Sequence, residues 1–396
     1  MPIRQSKIDN APVAVDLFSG VGGLTLGLKR AGFRVAVGVE IEPHAVSTYK
    51  TNHPEVAVLR QDIRTITGAA LKRLAGSKID LLAGCPPCQG FSSLTSKWRR
   101  EDSRNELVGD MARLVEEARP RAVMMENVPG LADRGKPLFD EFVRRIEKFG
   151  YKVSWAVLQL ADYGVAQNRR RLVLLAGKGF HIPLPEPTHS IDGSRGLPRW
   201  RVVRDVISGR PRPVELRYAN EHGGPSEFGW HVVRTLSENN SKRLRNARAG
   251  KQRFELPESM RPDCHKQSEK GFGNVYGRMR WNRISPTITG GCTTLSKGRF
   301  GHPQRNTTIS VREAAAIQQF PENYIFDCPY MDYVCTMVGN ALPCGFAEIA
   351  SAACDSAIKD REQRLGRSGG GIAPGLDRPG DSIQRRGMRN GALLDT

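Results

Sequence analysis

Val13-Ala14-Val15-Asp16-Leu17-Phe18-Ser19-Gly20-Val21-Gly22-Gly23 passes from an apolar run into a glycine-rich turn, and an amphipathic stretch over 24–31 follows at once. The order strand, glycine turn, helix opens an α/β sheet, because glycine lets the backbone approach a bound ligand without a Cβ clash. Working outward, the alternation recurs. Apolar runs at 33–39, 56–59, 79–83, 122–125, 153–158 and 171–176 read as strands, and 44–49, 107–119 and 138–149 read as helices. This spacing predicts an α/β fold, a mostly parallel sheet with helices on both faces.

The regular pattern breaks near residue 180. Prolines crowd 181–200, and 209–224 and 237–271 are polar and basic without a clear period, so 180–303 reads as a smaller, irregular domain. The α/β domain would occupy 11–179 and resume over 304–359. There Ser310-Val-Arg-Glu313 is a capping box ahead of an alanine-rich helix that Pro321 would end, and 345–359 is a further amphipathic helix. Residues 1–10 are polar and read as a flexible N-terminus. The stretch 360–396 is rich in Gly, Arg, Pro and Ser with few large apolar residues, which predicts a disordered basic tail.

A chain of 396 residues is long enough for two domains. Its 60 Lys and Arg against 41 Asp and Glu give a formal charge of +19, which suits a polyanionic partner, nucleic acid first among them. No leader or membrane-length apolar stretch is evident, and the 8 cysteines lack a secretory context. Free thiols in a reducing, cytoplasmic compartment are expected.

Acids stand where a nucleotide-like ligand would need them. Glu40 ends the second strand, where a carboxylate can accept from both ribose hydroxyls. Asp62 and Ile63 follow the third, where the acid could receive an adenine amino group and Ile63 could cover the base. The Gly-x-Gly-x-x-Gly register of a dinucleotide site is absent, which favours S-adenosylmethionine. Gly84-Cys85-Pro86-Pro87-Cys88-Gln89-Gly90-Phe91-Ser92 follows the strand at 79–83, where an α/β enzyme would mount a nucleophile. On spacing alone the two thiols also fit a redox pair, half a zinc site or a buried pair at a turn.

Taken in order, Asp16–Gly23, Gly84–Ser92, Glu126-Asn127-Val128, Gln167-Asn-Arg169-Arg-Arg171, 305–321 and Val338-Gly339-Asn340 closely resemble the motifs of the DNA (cytosine-5)-methyltransferase family. The resemblance covers roughly 10–178 and 300–356. Glycine turns alone are weak, but Pro-Cys-Gln, Glu-Asn-Val and Gln-x-Arg-x-Arg in that order are highly specific. It implies an S-adenosylmethionine-dependent methyltransferase sheet, with a target-recognition domain inserted between its halves. It implies that Phe18, Gly20, Gly23, Glu40, Ile41, Asp62, Ile63, Pro86 and Leu107 line the methyl-donor pocket and that Asn340 completes it. The segment after the second domain would then fold back onto the sheet.

The resemblance makes Cys88, between Pro87 and Gln89, the nucleophile, and leaves Cys85 a dispensable neighbour. C5 of cytosine is too weak a nucleophile to be methylated directly, and addition of a thiolate at C6 raises electron density at C5. Glu126 would be the acid that donates to N3, which needs its pKa raised by burial. Gln167, Arg169 and Arg171 alternate along an extended segment and share a side. Arg171 would meet the cytosine O2 and Arg169 would orient active-site groups or phosphate. Water would take the C5 proton, and Asn127 would hold the loop geometry.

The two faces of the ring must both be reached, so the base has to be flipped out of duplex DNA. The stretch 89–105 reads as the loop that closes on DNA. Gln89, Ser92 and Ser93 would lie beside the flipped base, and Lys97, Arg99 and Arg100 would meet phosphates. In the second domain Arg278, Arg280 and Arg283 are candidates for base edges or phosphates, Lys242, Arg243, Arg245 and Arg248 look like phosphate contacts, and Trp281 reads as core. Cys264 and His265 lack a partner set, so no metal site is expected. The enzyme would act as a monomer, with a cognate restriction endonuclease as a functional partner. Two alternatives stay open: the same chemistry on RNA cytosine, and a catalytically silent DNA-binding regulatory protein.

Overall fold

The computed structural model describes residues 11–76, 78–87, 106–247, 250, 256–266 and 273–368, apart from the side chains of 264, 265 and 368. In chain order the α/β part runs β1 (Val13–Leu17), α1 (Gly23–Arg30), β2 (Arg34–Glu40), α2 (Pro43–Asn52), β3 (Ala57–Arg60), α3 (Gly68–Ala75) and β4 (Leu81–Gly84). It continues with α4 (Leu107–Ala118), β5 (Ala122–Asn127), α5 (Lys136–Glu147), β6 (Tyr151–Gln159) and β7 (Arg170–Lys178). The seven strands form one sheet in the order β3-β2-β1-β4-β5-β7-β6. Pairings among β1 to β5 are parallel, and β7 runs antiparallel between β5 and β6.

The central strands are apolar on both faces, as a sheet covered on both sides requires. Val13, Val15 and Leu17 pack with Met111, Val115 and Phe142 of α4 and α5. Ala14, Leu81 and Ala83 face the other way, against Leu24, Leu28, Tyr49 and Phe346. That second layer includes α8 (Cys344–Ser368), which follows α6 (Val311–Ile317) and α7 (Met331–Asn340). A Cβ on Gly27 would lie 2.4 Å from the Cβ of Ala347, so α1 and α8 cross almost backbone to backbone at that glycine.

Among the described residues between β7 and α6 the elements are short, the longest being the helix Glu238–Asn246. One core runs across position 303: Val203, Trp230, Ile288 and Phe300 pack with Ala314 and Ile317 of α6 and with Val334 and Val338 of α7. Helices α6 and α7 thus carry the small domain, and α8 carries the return to the sheet.

Several expectations change. The helix opened by the Ser310–Glu313 box is present, with Ser310 Oγ accepting from Glu313 N at 3.0 Å, but it ends at Ile317 rather than at Pro321. Gln318 leaves the helical path to donate from its amide to Val338 O and Ala341 O, and Gln319 turns left-handed at φ 64°. The final helix runs to Ser368, so 360–368 is helical and not a disordered tail. Its residues are mostly good helix formers, and Glu362 pairs with Arg121 at 2.6 Å. The expected behaviour of 1–10 and 369–396 lies outside the described residues.

Candidate active site

Register aligns the site. Leu17 pairs with Gly84 and Gly84 with Met125, while Glu126 and Asn127 pair with Val173 and Leu172. One step beyond these pairs, Phe18, Cys85, Glu126 and Arg171 arrive side by side at one edge of the sheet. They line a single cleft of about 2030 Å³. The crevice outside the carboxyl ends of parallel strands, where β1 has neighbours reached by opposite crossovers, is where such sheets bind ligands.

Glu126 is only 6% exposed, and Arg171 Nε lies 2.6 Å from its Oε1. The contact is an ion pair whose N–H is not aimed at the oxygen, so Oε1 has no hydrogen bond. A buried carboxylate oxygen left this way is ready to meet a substrate N–H. Asn127 ties the neighbouring turn: its amide donates to Pro86 O at 2.9 Å, and its Oδ1 accepts from Val128 N at 2.8 Å. Burial and the charge of Glu126 push the Cys85 thiol well above its usual pKa. Cys85 therefore stays a thiol, a poor nucleophile. Cys88, Gln89, Ser92, Ser93, Lys97, Arg99 and Arg100 lie outside the described residues.

Of the two roles expected for Arg169, the structure shows the orienting one. It is 2% exposed, and its guanidinium donates to Ile288 O, Gly339 O and Ala341 O at 3.0–3.3 Å. Its terminal nitrogens are spent on backbone while its Nε has no partner; it is a positioning residue that clamps the C-terminal end of α7, which carries Asn340. Gln167, fully buried, donates to Gln318 Oε1 at 2.8 Å and accepts from Ile288 N at 2.8 Å, which reinforces the clamp.

The other end of the cleft fits an adenosyl ligand. Phe18 takes φ 57° and Gly20 φ 53°, and a Cβ on Gly20 would meet nothing within 4 Å, so the turn leaves an open cradle. Glu40 is oriented by backbone donors, each at 2.9 Å: Ile41 N and Glu42 N on Oε1 and Gly20 N on Oε2, so Oε2 keeps lone-pair capacity for a hydroxyl. Ile41 is 59% exposed, an apolar surface suited to a base. Gly23, Ile63, Pro86, Leu107 and Asn340 line the same cleft. Asp62 lines it too, but its Oδ1 already accepts from Arg64 N at 3.0 Å and Arg64 Nε at 3.1 Å, which holds its pKa below the usual carboxylate range.

A buried network stiffens the turn from behind. Thr25 Oγ1 donates to Asp16 Oδ2 at 2.7 Å and meets Tyr49 OH at 2.7 Å, while Asp16 Oδ1 has no partner. Burial, with Glu40 adding, raises Asp16 to a pKa of about 7. Nearby, Lys29 Nζ donates to His53 Nδ1 at 2.8 Å, so the Nε2–H of the neutral ring faces Gly22 O and Tyr324 OH. Tyr324 in turn donates to Val21 O.

The small-domain wall corrects the expectation for Arg278. Its guanidinium donates to Leu244 O, Ala247 O, His302 O, Arg305 O and Asn306 Oδ1, and it does not line the cleft. Arg243 is likewise turned inward, donating to Met260 O at 2.7 Å and Asn240 Oδ1 at 2.8 Å. Trp281 is half-buried, edge-on to His302 at 5.1 Å. Arg280 and Arg283 do line the cleft, joined by Asn274, Lys297 and Arg299, which the sequence reading passed over. The available signal was Gly298-Arg299-Phe300-Gly301, a cation in a glycine-framed turn.

A mixed seven-stranded sheet with a glycine-rich first turn and a ligand cleft at its carboxyl edge defines the Rossmann-like methyltransferase class. The family model for C-5 cytosine-specific DNA methylase matches residues 13–355, and the chain belongs to that family. It is 34% identical to the Type II methylase M.HgiDII of Herpetosiphon aurantiacus, over 88% of this chain and 97% of that protein. It is 33% identical to the Type II methyltransferase M1.BsuMI of Bacillus subtilis, over 83% of this chain and 77% of that protein. In fold it is similar to a putative DNA modification methyltransferase encoded within an E. coli prophage, with a TM-score of 0.66 at 22% identity, covering 88% of this chain and all of that one. The protein is therefore an S-adenosylmethionine-dependent methyltransferase of the C5-cytosine family that binds DNA and flips the target base.

Proposed function

We propose that the chain methylates C5 of a cytosine within a specific duplex DNA sequence, through a covalent bond between Cys88 and C6. The observation that supports this best is the meeting of Glu126 and Arg171 at the strand ends, beside the strand that leads to Cys88. Their spacing suits the O2–N3 edge of one cytosine. Glu126 donates to N3 and accepts from the exocyclic amine, and Arg171 draws charge at O2, which makes C6 electrophilic.

The Cys88 thiolate forms the S–C6 bond, and the displaced electron pair makes C5 nucleophilic. Once C5 is methylated, water removes the C5 proton. The electron pair of that C–H bond restores the ring double bond and expels Cys88. Bound S-adenosylmethionine supplies the electrophilic methyl group. Phe18, Glu40, Ile41, Asp62, Ile63, Leu107 and Asn340 would hold it, with Glu40 accepting from the ribose and Ile41 and Phe18 covering apolar surface.

The loop 89–105 closes over the flipped base. Gln89, Ser92 and Ser93 pack beside it, and Lys97, Arg99 and Arg100 hold the backbone. The reading is completed by a role beside a cognate restriction endonuclease, in the cytoplasm. Purified protein given labelled S-adenosylmethionine and either duplex DNA or tRNA tests the reading. Label in 5-methylcytosine of duplex DNA is expected; label only in RNA would refute it.

A further inference from the structure

Buried polar atoms without partners line the cleft in two places. One set, Glu126 Oε1 and Arg169 Nε, belongs to the site already described. The other, Asn274 Oδ1 and Arg299 Nε, stands on the small-domain wall. We propose that Asn274 and Arg299 read base edges of the bound DNA and so fix part of its recognised sequence. The proposal rests on the duplex-DNA reading above and deepens it.

Both side chains are presented by fixed backbone. Val275 N donates to Gly273 O at 2.9 Å, a tight three-residue turn with Asn274 at its tip. Arg299 precedes Phe300, which is 1% exposed and whose carbonyl accepts from Ile309 N at 2.8 Å. Arg299 Nη1 donates to Gly250 O at 2.9 Å, which orients the planar fork and leaves its Nε side unspent. Gly250 lies flat on Arg280: a Cβ there would come within 1.7 Å of Arg280 Nε. The two guanidiniums are thus gathered about one glycine, and the charge of Arg280 adds to burial in lowering the Arg299 pKa. Cations crowded in this way gain from an acceptor-rich ligand.

Phosphate alone would not complete the set. The unmet atom of Asn274 is an acceptor, and a phosphate diester has no proton to give it. An exocyclic amino group of adenine or cytosine does, and the second half of an amide can donate to adenine N7. The fork of Arg299 matches guanine O6 and N7 in the same groove. Arg278, the sequence candidate for such a role, is consumed inside the domain, and Arg299, half-buried, lines the cleft in its place.

The test is a library of random-sequence duplexes methylated by the full chain and read by bisulfite sequencing. The unaltered protein should yield one motif. Asn274→Ala and Arg299→Lys should each lose discrimination at one position by about 10- to 100-fold. Both should keep their melting temperature and S-adenosylmethionine affinity. Lys297→Ala serves as the contrast, lowering methylation of every sequence alike. A motif and discrimination unchanged in both variants would overturn the proposal, and so would a uniform loss across all sequences. If Arg299→Lys fails to fold, the Asn274→Ala motif decides alone. Methylation of RNA and not of any duplex by the unaltered protein would instead strike the duplex-DNA reading, and is visible before any variant is made.

Discussion

Arg171, at the start of β7, and Arg278, in the small domain, are both expected from sequence to face the substrate, and the fold spends them differently. Arg171 meets the Glu126 carboxylate and the carbonyl of Arg170, and remains part of the cleft wall. Arg278 meets four carbonyls and an amide oxygen, and is withdrawn from it. A sheet satisfies its own backbone, so side chains at its edge are free for chemistry. An irregular domain has inward carbonyls that no ladder serves, and it recruits arginines as donors. Arg169 marks the border, because its carbonyl partners come from the loop at 288 and from the C-terminal end of α7 at 339 and 341.

The contrast can be broken from either side. Glu126→Gln removes the acid from the free wall; kcat/KM for DNA methylation should fall by about 10²- to 10⁴-fold with S-adenosylmethionine affinity unchanged. A rate within a few-fold of the parent would show that Arg171 acts without it.

Asp16 tests the buried charge behind the cofactor turn. Its folded pKa of about 7 lies above the ordinary 3.8, so the stability present below pH 4 is lost as pH rises toward 7. Asp16→Asn does not titrate. Its urea-unfolding free energy relative to the parent should rise across that window, by up to about 4 kcal/mol. A difference that stays flat with pH would mean that Asp16 is not protonated in the fold.

Arg278→Ala should cost about 3 kcal/mol of unfolding free energy, because it orphans buried carbonyls. Sequence discrimination in the remaining folded protein should be intact. A loss of discrimination without loss of stability would return Arg278 to the reading surface. The smallest effect is expected from Ile41→Ala. Losing that exposed apolar face should weaken S-adenosylmethionine binding by about 5- to 10-fold in calorimetry.

Much of the α/β half could be read in advance because it obeys periodicity. Apolar runs marked all seven strands, and the acids and glycines that end them fell where the sheet ends. Chain direction was harder: β7 runs antiparallel between β5 and β6, and nothing in its apolar run distinguishes that from a parallel strand. Helices α3 and α7 were missed for local reasons. Helix α3 is a short stretch between Thr67 and Gly76, and α7 carries Cys335, Thr336 and Gly339 among its helix formers. The small domain was least readable. Its arginines look alike in sequence, and what separates Arg278 from Arg299 is which carbonyls surround each one.

The central claim concerns a thiol, and trapping on DNA containing 5-fluorocytosine tests it directly, since fluorine at C5 cannot leave as a proton and the C6 adduct persists. With S-adenosylmethionine present, the parent and Cys85→Ala proteins should form a denaturation-resistant protein–DNA adduct, and Cys88→Ala should form none. An adduct that survives in Cys88→Ala, or that disappears only in Cys85→Ala, would contradict the account.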